Sequence, residues 1–254
     1  MLRDLTGEVA WITGAGTGIG ESGAIKLAEA GCKVILSGRR TAPLENVAAQ
    51  IPGDVTIEPL DVSDHDDVMA VAERIIGKYG RIDIGVFSAG INIKDRNWPV
   101  VSIDDWNSVI NIDLNGAFYC CQAVLPSMRK NGGGVIINVS SMAAKNIGML
   151  TGPAYHAAKH AMNAMNESLN MENCQYGIRA CAVCPGEVAT PILDNRPIPV
   201  SEEDRAKMVQ SEDCGDLIRF LAELPEHVCI NELTISPTWN RGYIGAQQSQ
   251  LPID

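Results

Sequence analysis

Tyr155 and Lys159 stand four residues apart in Tyr155-His156-Ala157-Ala158-Lys159, so on a helix they share a face. A free phenol, with a pKa of about 10, is too weakly ionised to serve as a base near neutrality. A neighbouring ammonium favours the phenolate and lowers that value, which makes the pair a candidate acid/base unit. Ser141 follows an apolar run, where a hydroxyl could hold a substrate carbonyl oxygen close to Tyr155. Each feature has an ordinary reading too: the pair also occurs by chance on exposed helices, and Ser141 also suits a loop or cap.

Such groups need a scaffold, and its anchor is Thr13-Gly14-Ala15-Gly16-Thr17-Gly18-Ile19-Gly20. An apolar strand-like run precedes this stretch and an amphipathic helical run follows. Glycines there permit a sharp turn and leave the backbone open to a ligand. The helix start then offers N–H groups and partial positive charge to an anion, so a pyrophosphate site is expected around Gly14, Thr17, Gly18, Ile19 and Gly20. The spacing is not G-x-G-x-x-G, because position 19 is Ile; Gly14-x-x-x-Gly18-x-Gly20 fits instead.

Apolar runs predict strands over 8–13, 33–37, 55–59, 82–88, 134–140, 178–184 and 228–236. Helical periods predict helices over 18–30, 43–51, 64–79, 103–130, 153–176, 201–207 and 212–221. This alternation implies an α/β fold, a doubly wound parallel sheet flanked by helices, in one domain spanning 1–254. Functional residues then belong just beyond the carboxyl ends of the strands.

At the second strand end, Ser37-Gly38-Arg39-Arg40 lacks the acid that would grip a ribose 2′-hydroxyl. A guanidinium pairs with a 2′-phosphate instead, which favours NADP(H) over NAD, with Arg39 ahead of Arg40; two solvated arginines are the alternative. Asp61-Val62 opens the loop after the third strand, where Asp61 either accepts from an adenine amino group or starts a helix. Ser88-Ala89-Gly90 puts small residues where a cofactor could lie against backbone.

The formal net charge of −11 argues against nucleic acid or an anionic membrane as the main partner. The N-terminus has no apolar signal-peptide core, and no stretch is long enough to span a bilayer, so a cytoplasmic location is expected. The eight cysteines form no disulfide or zinc framework, Cys181 and Cys184 lying three apart on a predicted strand; no metal is expected.

With the Gly-rich turn, Ala89-Gly90, Ser141, Tyr155-x-x-x-Lys159 and Pro185-Gly186 in this order, the sequence resembles the short-chain dehydrogenase/reductase family from about residue 7 to residue 236. The resemblance implies a Rossmann-type domain with a seven-stranded parallel sheet and NAD(P)-dependent interconversion of alcohols and carbonyls, usually in dimers or tetramers. It implies Tyr155 as acid/base, Lys159 as the group that lowers its pKa and binds the ribose, and Ser141 as the hydroxyl that steadies the substrate oxygen. Pro185, Gly186, Val188 and Thr190 are implied around the nicotinamide.

Three departures stand out. Asp113 occupies the position where the family usually has an asparagine that holds a water in a proton relay. Asn111 and Asn115 lie about 200° around a helix from it. Aspartate could add negative charge near Lys159, or matter little if a backbone carbonyl holds the water. The serine-to-tyrosine gap is one residue longer than is common, which leaves Ser140 as an alternative to Ser141. Ser88 stands where asparagine is usual.

Specificity is expected from loops 91–101, 142–153 and 187–210, the last a Pro-containing lid. Met142, Met149, Leu150, Ile192 and Leu193 are candidate pocket residues, and Lys145, Asn146 and Glu187 candidate polar contacts. Phe118, Tyr119, Met162, Met165 and Leu169 are candidates to face a second subunit. The tail 237–254 either docks on a neighbouring subunit or is loose. Two functions follow: an enzyme acting on a small alcohol or carbonyl, or a non-catalytic dinucleotide sensor.

Overall fold

Along Val9–Thr13, Val9 and Trp11 pack into one core while Ala10 and Ile12 pack into another on the opposite face of the strand. Both faces of this strand are therefore buried, which is why the inner strands read as apolar runs rather than as alternation. A computed structural model describes residues 2–250, with side chains described over residues 2–245. Among the described residues, seven strands pair in parallel in the order β3-β2-β1-β4-β5-β6-β7. They are β1 (Val9–Thr13), β2 (Lys33–Gly38), β3 (Val55–Pro59), β4 (Ile84–Phe87), β5 (Gly134–Val139), β6 (Ile178–Pro185) and β7 (Glu232–Ile235).

Helices α1 (Gly18–Glu29), α2 (Thr41–Ala48) and α8 (Ser211–Glu223) cover one face. The other is covered by α3 (His65–Tyr79), α5 (Gly116–Asn131) and α6 (Pro153–Asn173). Helix α4 (Ile103–Ile110) precedes α5, and the short α7 (Glu202–Ala206) lies in the lid. Strand order reverses between β1 and β4, which opens a crevice at their carboxyl ends.

Four features differ from the sequence expectation. The helix expected over 103–130 is continuous but carries a π-helical turn, Asn111–Asn115, between α4 and α5. The extra residue per turn there leaves no trace in apolar periodicity. β7 begins at Glu232, not at 228, because Asn231 is held by the side chains of Asn166 and Asn170 rather than by a strand ladder alone. Met162 and Leu169 are buried within the subunit, whereas Phe118 is exposed. The tail forms α9 (Arg241–Gln250), whose Arg241 docks on the chain's own lid; residues 251–254 lie outside the described residues.

Candidate active site

The Gly-rich turn is shaped by what it must clear. Gly14 and Gly18 have φ of 65° and 62°, in the left-handed region that suits glycine. A Cβ on Gly14 would lie 2.8 Å from the Ala89 nitrogen, and one on Gly20 would lie 2.4 Å from the Gly14 carbonyl oxygen. The turn thus presses on the β4 loop and on the first turn of α1, leaving backbone rather than side chains facing the crevice. Thr17 precedes α1, and its side chain makes no capping hydrogen bond. Ile19 packs against the core, and Thr190, buried, sits 3.0 Å from the Cβ position of Gly18. The cradle, the free helix-start N–H groups and the uncapped Thr17 hydroxyl fit a dinucleotide pyrophosphate.

Pro185 ends β6 and Gly186 follows it, its N–H donating to the Ile235 carbonyl. Val188 pairs with Val209 across the lid base, so the chain from Pro185 to Thr190 is held along the same cavity as the Gly-rich turn. That cavity has a volume of about 650 Å³, and Ser141, Tyr155 and Lys159 also line it.

Pro153 opens α6 after Gly152, whose φ of 78° and close approach to the Arg96 backbone leave no room for a side chain. Tyr155 and Lys159 then fall one turn apart, with the Lys159 Nζ 5.5 Å from the Tyr155 ring centroid. Lys159, 3 % exposed, donates to the Val139 carbonyl at 3.0 Å and lies 3.5 Å from Asp113 Oδ2. Ser141 caps the turn Met142–Ala144, its hydroxyl oxygen accepting from the Ala143 N–H. Ser140 is turned away, its hydroxyl donating to Asn163 Oδ1 at 2.6 Å.

Burial pushes the Tyr155 phenol up. Lys159 opposes that shift, Asp113 adds to it, and Ser141 and Arg96 both favour the phenolate. The sequence argument had only the Lys159 influence in view; the net displacement runs the other way because dehydration outweighs it.

The π-turn aims Asp113 inward, while Asn111 and Asn115 hydrogen-bond each other on the exposed face. Asp113 is fully buried, and its Oδ1 accepts from the Ile91 N–H at 2.8 Å. Its Oδ2 has no hydrogen-bond partner. Burial pushes its pKa up from 3.8 to about 6 against the opposing pull of Lys159 and the Ile91 N–H.

A second, smaller cavity of about 160 Å³ adjoins the first and is lined by Gly38, Arg39, Arg40, Asp61, Val62, Ala89 and Gly90, among others. Both arginines are exposed, and neither is in an ion pair among the described residues. Asp64, not Asp61, caps α3, through the N–H groups of Asp66 and Asp67. Asp61 accepts instead from the Ser63 N–H and hydroxyl; although burial raises its pKa, these bonds and Arg39 hold it below the ordinary value.

Residues 8–198 match the family model for short chain dehydrogenase. The chain belongs to the short-chain dehydrogenase family. It is 32 % identical over 234 residues to an uncharacterized oxidoreductase of Staphylococcus aureus (strain USA300), covering 92 % of this chain and 98 % of that one. Among solved structures it is similar to an alcohol dehydrogenase from the archaeon Thermococcus sibiricus complexed with 5-hydroxy-NADP. The TM-score is 0.83 at 26 % identity, over 92 % of this chain and 98 % of that one. It is also similar to 3-ketoacyl-(acyl-carrier-protein) reductase from Brucella melitensis complexed with NADH. There the TM-score is 0.84 at 28 % identity, over 91 % and 98 %. The chain is thus an oxidoreductase of this family.

Around the mouth of this dehydrogenase's cavity, Met142, Leu150, Ile192 and Leu193 contribute apolar lining, whereas Met149 is 89 % exposed and does not. Asn146 lines it; Lys145 pairs with Glu232 instead. Glu187 is occupied: it accepts from Arg196 at 2.7 Å and from Arg241 at 2.6 Å and 2.9 Å, and these bonds hold its pKa down. His156 ties the loop to α6, its Nδ1–H donating to the Ala143 carbonyl at 2.8 Å and its Nε2 meeting the Gly148 N–H at 3.0 Å. Sequence reasoning missed His156, Arg196, Arg241 and Arg96. No spacing marks them, since their partners lie on other segments, and only the general expectation that loops carry specificity touched their region.

Proposed function

We propose that this oxidoreductase interconverts a secondary alcohol and a ketone with NADP(H), using Tyr155 as the acid/base. What supports the reading most is the meeting of Tyr155, Lys159 and Ser141 at one cavity that also holds the Gly-rich turn. In reduction the Tyr155 hydroxyl gives its proton to the substrate carbonyl oxygen; in oxidation the phenolate removes the alcohol proton. Ser141 donates a hydrogen bond to that oxygen, and the Lys159 ammonium stabilises the phenolate left behind. NADPH, when bound, supplies the hydride that the carbonyl carbon receives. Gly14, Thr17, Gly18, Ile19 and Gly20 would hold its pyrophosphate side, Pro185, Gly186, Val188 and Thr190 its nicotinamide side, and Arg39, with Arg40, its 2′-phosphate. The similar structures complexed with 5-hydroxy-NADP and with NADH leave both cofactors in range, and the exposed arginines beside the second cavity favour NADP(H).

Dimeric or tetrameric assembly in the cytoplasm belongs to the same family expectation. A non-catalytic sensor is the second reading, favoured by Asp113, which raises the Tyr155 pKa. Tyr155→Phe separates the two. Turnover of a ketone panel, followed by nicotinamide absorbance, is expected to fall at least about 100-fold while cofactor affinity holds. Retained turnover in the variant refutes the role of Tyr155, and binding without turnover by the wild type favours the sensor.

A further inference from the structure

Arg96 lies in the loop after β4, is 5 % exposed, and lines the cavity that holds Tyr155. Its guanidinium donates to two backbone carbonyls, those of Leu150, at 3.5 Å, and Asn195, while its Nε–H has no partner. Among the described residues no carboxylate pairs with it; burial disfavours its charge, and the cation of Arg196 disfavours it further. A guanidinium has five N–H donors, so three remain here.

A buried cation without an anion is costly to keep. The other cations at the cavity each have an anion, Lys159 pairing with Asp113, Arg196 with Glu187, and Arg241 with Glu187 and Asp204, which leaves Arg96 the one without a carboxylate among the described residues. The pyrophosphate cradle lies elsewhere, over the start of α1, whereas Arg96 binds the loop before α6 and the lid, close enough to Tyr155 to favour its phenolate.

We propose that Arg96 binds a carboxylate on the substrate, so that the enzyme acts on an oxo acid or hydroxy acid with an apolar skeleton. This rests on the alcohol/ketone reading above. The spare N–H donors of the guanidinium suit a singly charged carboxylate. Met142, Leu150, Ile192 and Leu193 supply the surface for the carbon chain. The carbonyls of Leu150 and Asn195, on two different loops, hold the guanidinium in place.

The test uses 2-, 3- and 4-oxo acids of four to eight carbons and their methyl esters, with NADPH, on the wild type, Arg96→Gln and Arg96→Lys. The wild type is expected to prefer an acid to its ester by about 10- to 100-fold in kcat/KM, the range of one hydrogen-bonded charge. Arg96→Gln is expected to bring the acid-to-ester ratio of kcat/KM towards one with NADPH KM little changed, whatever common change in turnover follows from its influence on Tyr155, and Arg96→Lys to keep part of the ratio. A clamp that is only structural would depress acid and ester alike and leave their ratio unmoved, and that result overturns the proposal, as does a wild type that prefers the esters.

Should Arg96→Gln not fold, the wild-type preference and a titration decide: hexanoate is expected to bind the NADP-loaded protein, hexanamide is not, and equal binding counts against the carboxylate site. Hexanoate binding without turnover of any ketone refutes the alcohol/ketone reading and leaves the carboxylate site standing.

Discussion

Replacing Asp113 by Asn removes one negative charge from beneath the reacting groups while keeping the oxygen that accepts from the Ile91 N–H. Two effects compete at this site. Attraction between Asp113 Oδ2 and Lys159 Nζ, 3.5 Å apart, is about 5 kcal/mol at an effective dielectric constant of about 20. Burial opposes it and wins, since the pKa rises from 3.8 to about 6, roughly two units or about 3 kcal/mol against the ionised form. Because the native state holds this proton more tightly than the unfolded chain, its contribution to stability is full below 3.8 and is lost as pH rises through about 6. Asn has no such dependence. Urea unfolding from about pH 4 to about pH 8 should show Asp113→Asn gaining on wild type by about 2–3 kcal/mol as pH rises.

The same charge raises the Tyr155 pKa, so the variant's rate profile for alcohol oxidation should lose an inflection near pH 6 and begin its rise at lower pH. Stability curves that stay parallel, together with an unmoved rate profile, would refute this account and assign the position a packing role only.

Arg39→Ala should raise the KM for NADPH by about 10-fold and leave that for NADH nearly unchanged, because only the former offers a 2′-phosphate; equal changes for both would count against the assignment. Gly20→Ala forces a Cβ to within 2.4 Å of the Gly14 carbonyl oxygen. It should cost about 1–3 kcal/mol in urea unfolding and weaken NADPH binding measured by fluorescence; unchanged stability would mean that the turn relaxes freely.

Local signals carried much of the architecture. The parallel sheet was legible because its inner strands, buried on both faces, are apolar and every expected strand but the last is followed by a helical period. The Gly-rich turn was legible because the left-handed angles at Gly14 and Gly18 suit glycine. Helical spacing put Tyr155 and Lys159 on one face, and only their order with Ser141 and the Gly-rich turn marked them as a candidate acid/base unit. The π-turn was not, because it changes the direction of Asp113 without changing which residues are apolar.

Other properties depend on segments far apart in the chain. Whether Asp113 meets water or Lys159 depends on the fit of the π-turn beneath the Ile91 loop. The upward displacement of Tyr155 depends on how much water the assembled cleft excludes. Arg96 reads in the sequence as one more surface arginine. Only the approach of Leu150 and Asn195, 54 and 99 residues further on, buries its charge and leaves its Nε–H without a partner. Periodicity and motif spacing therefore determined the scaffold and the candidate residues it carries, whereas the charge states and the shape of the cleft were decided by tertiary structure, because dehydration and electrostatic neighbours arise only when distant segments close on one another.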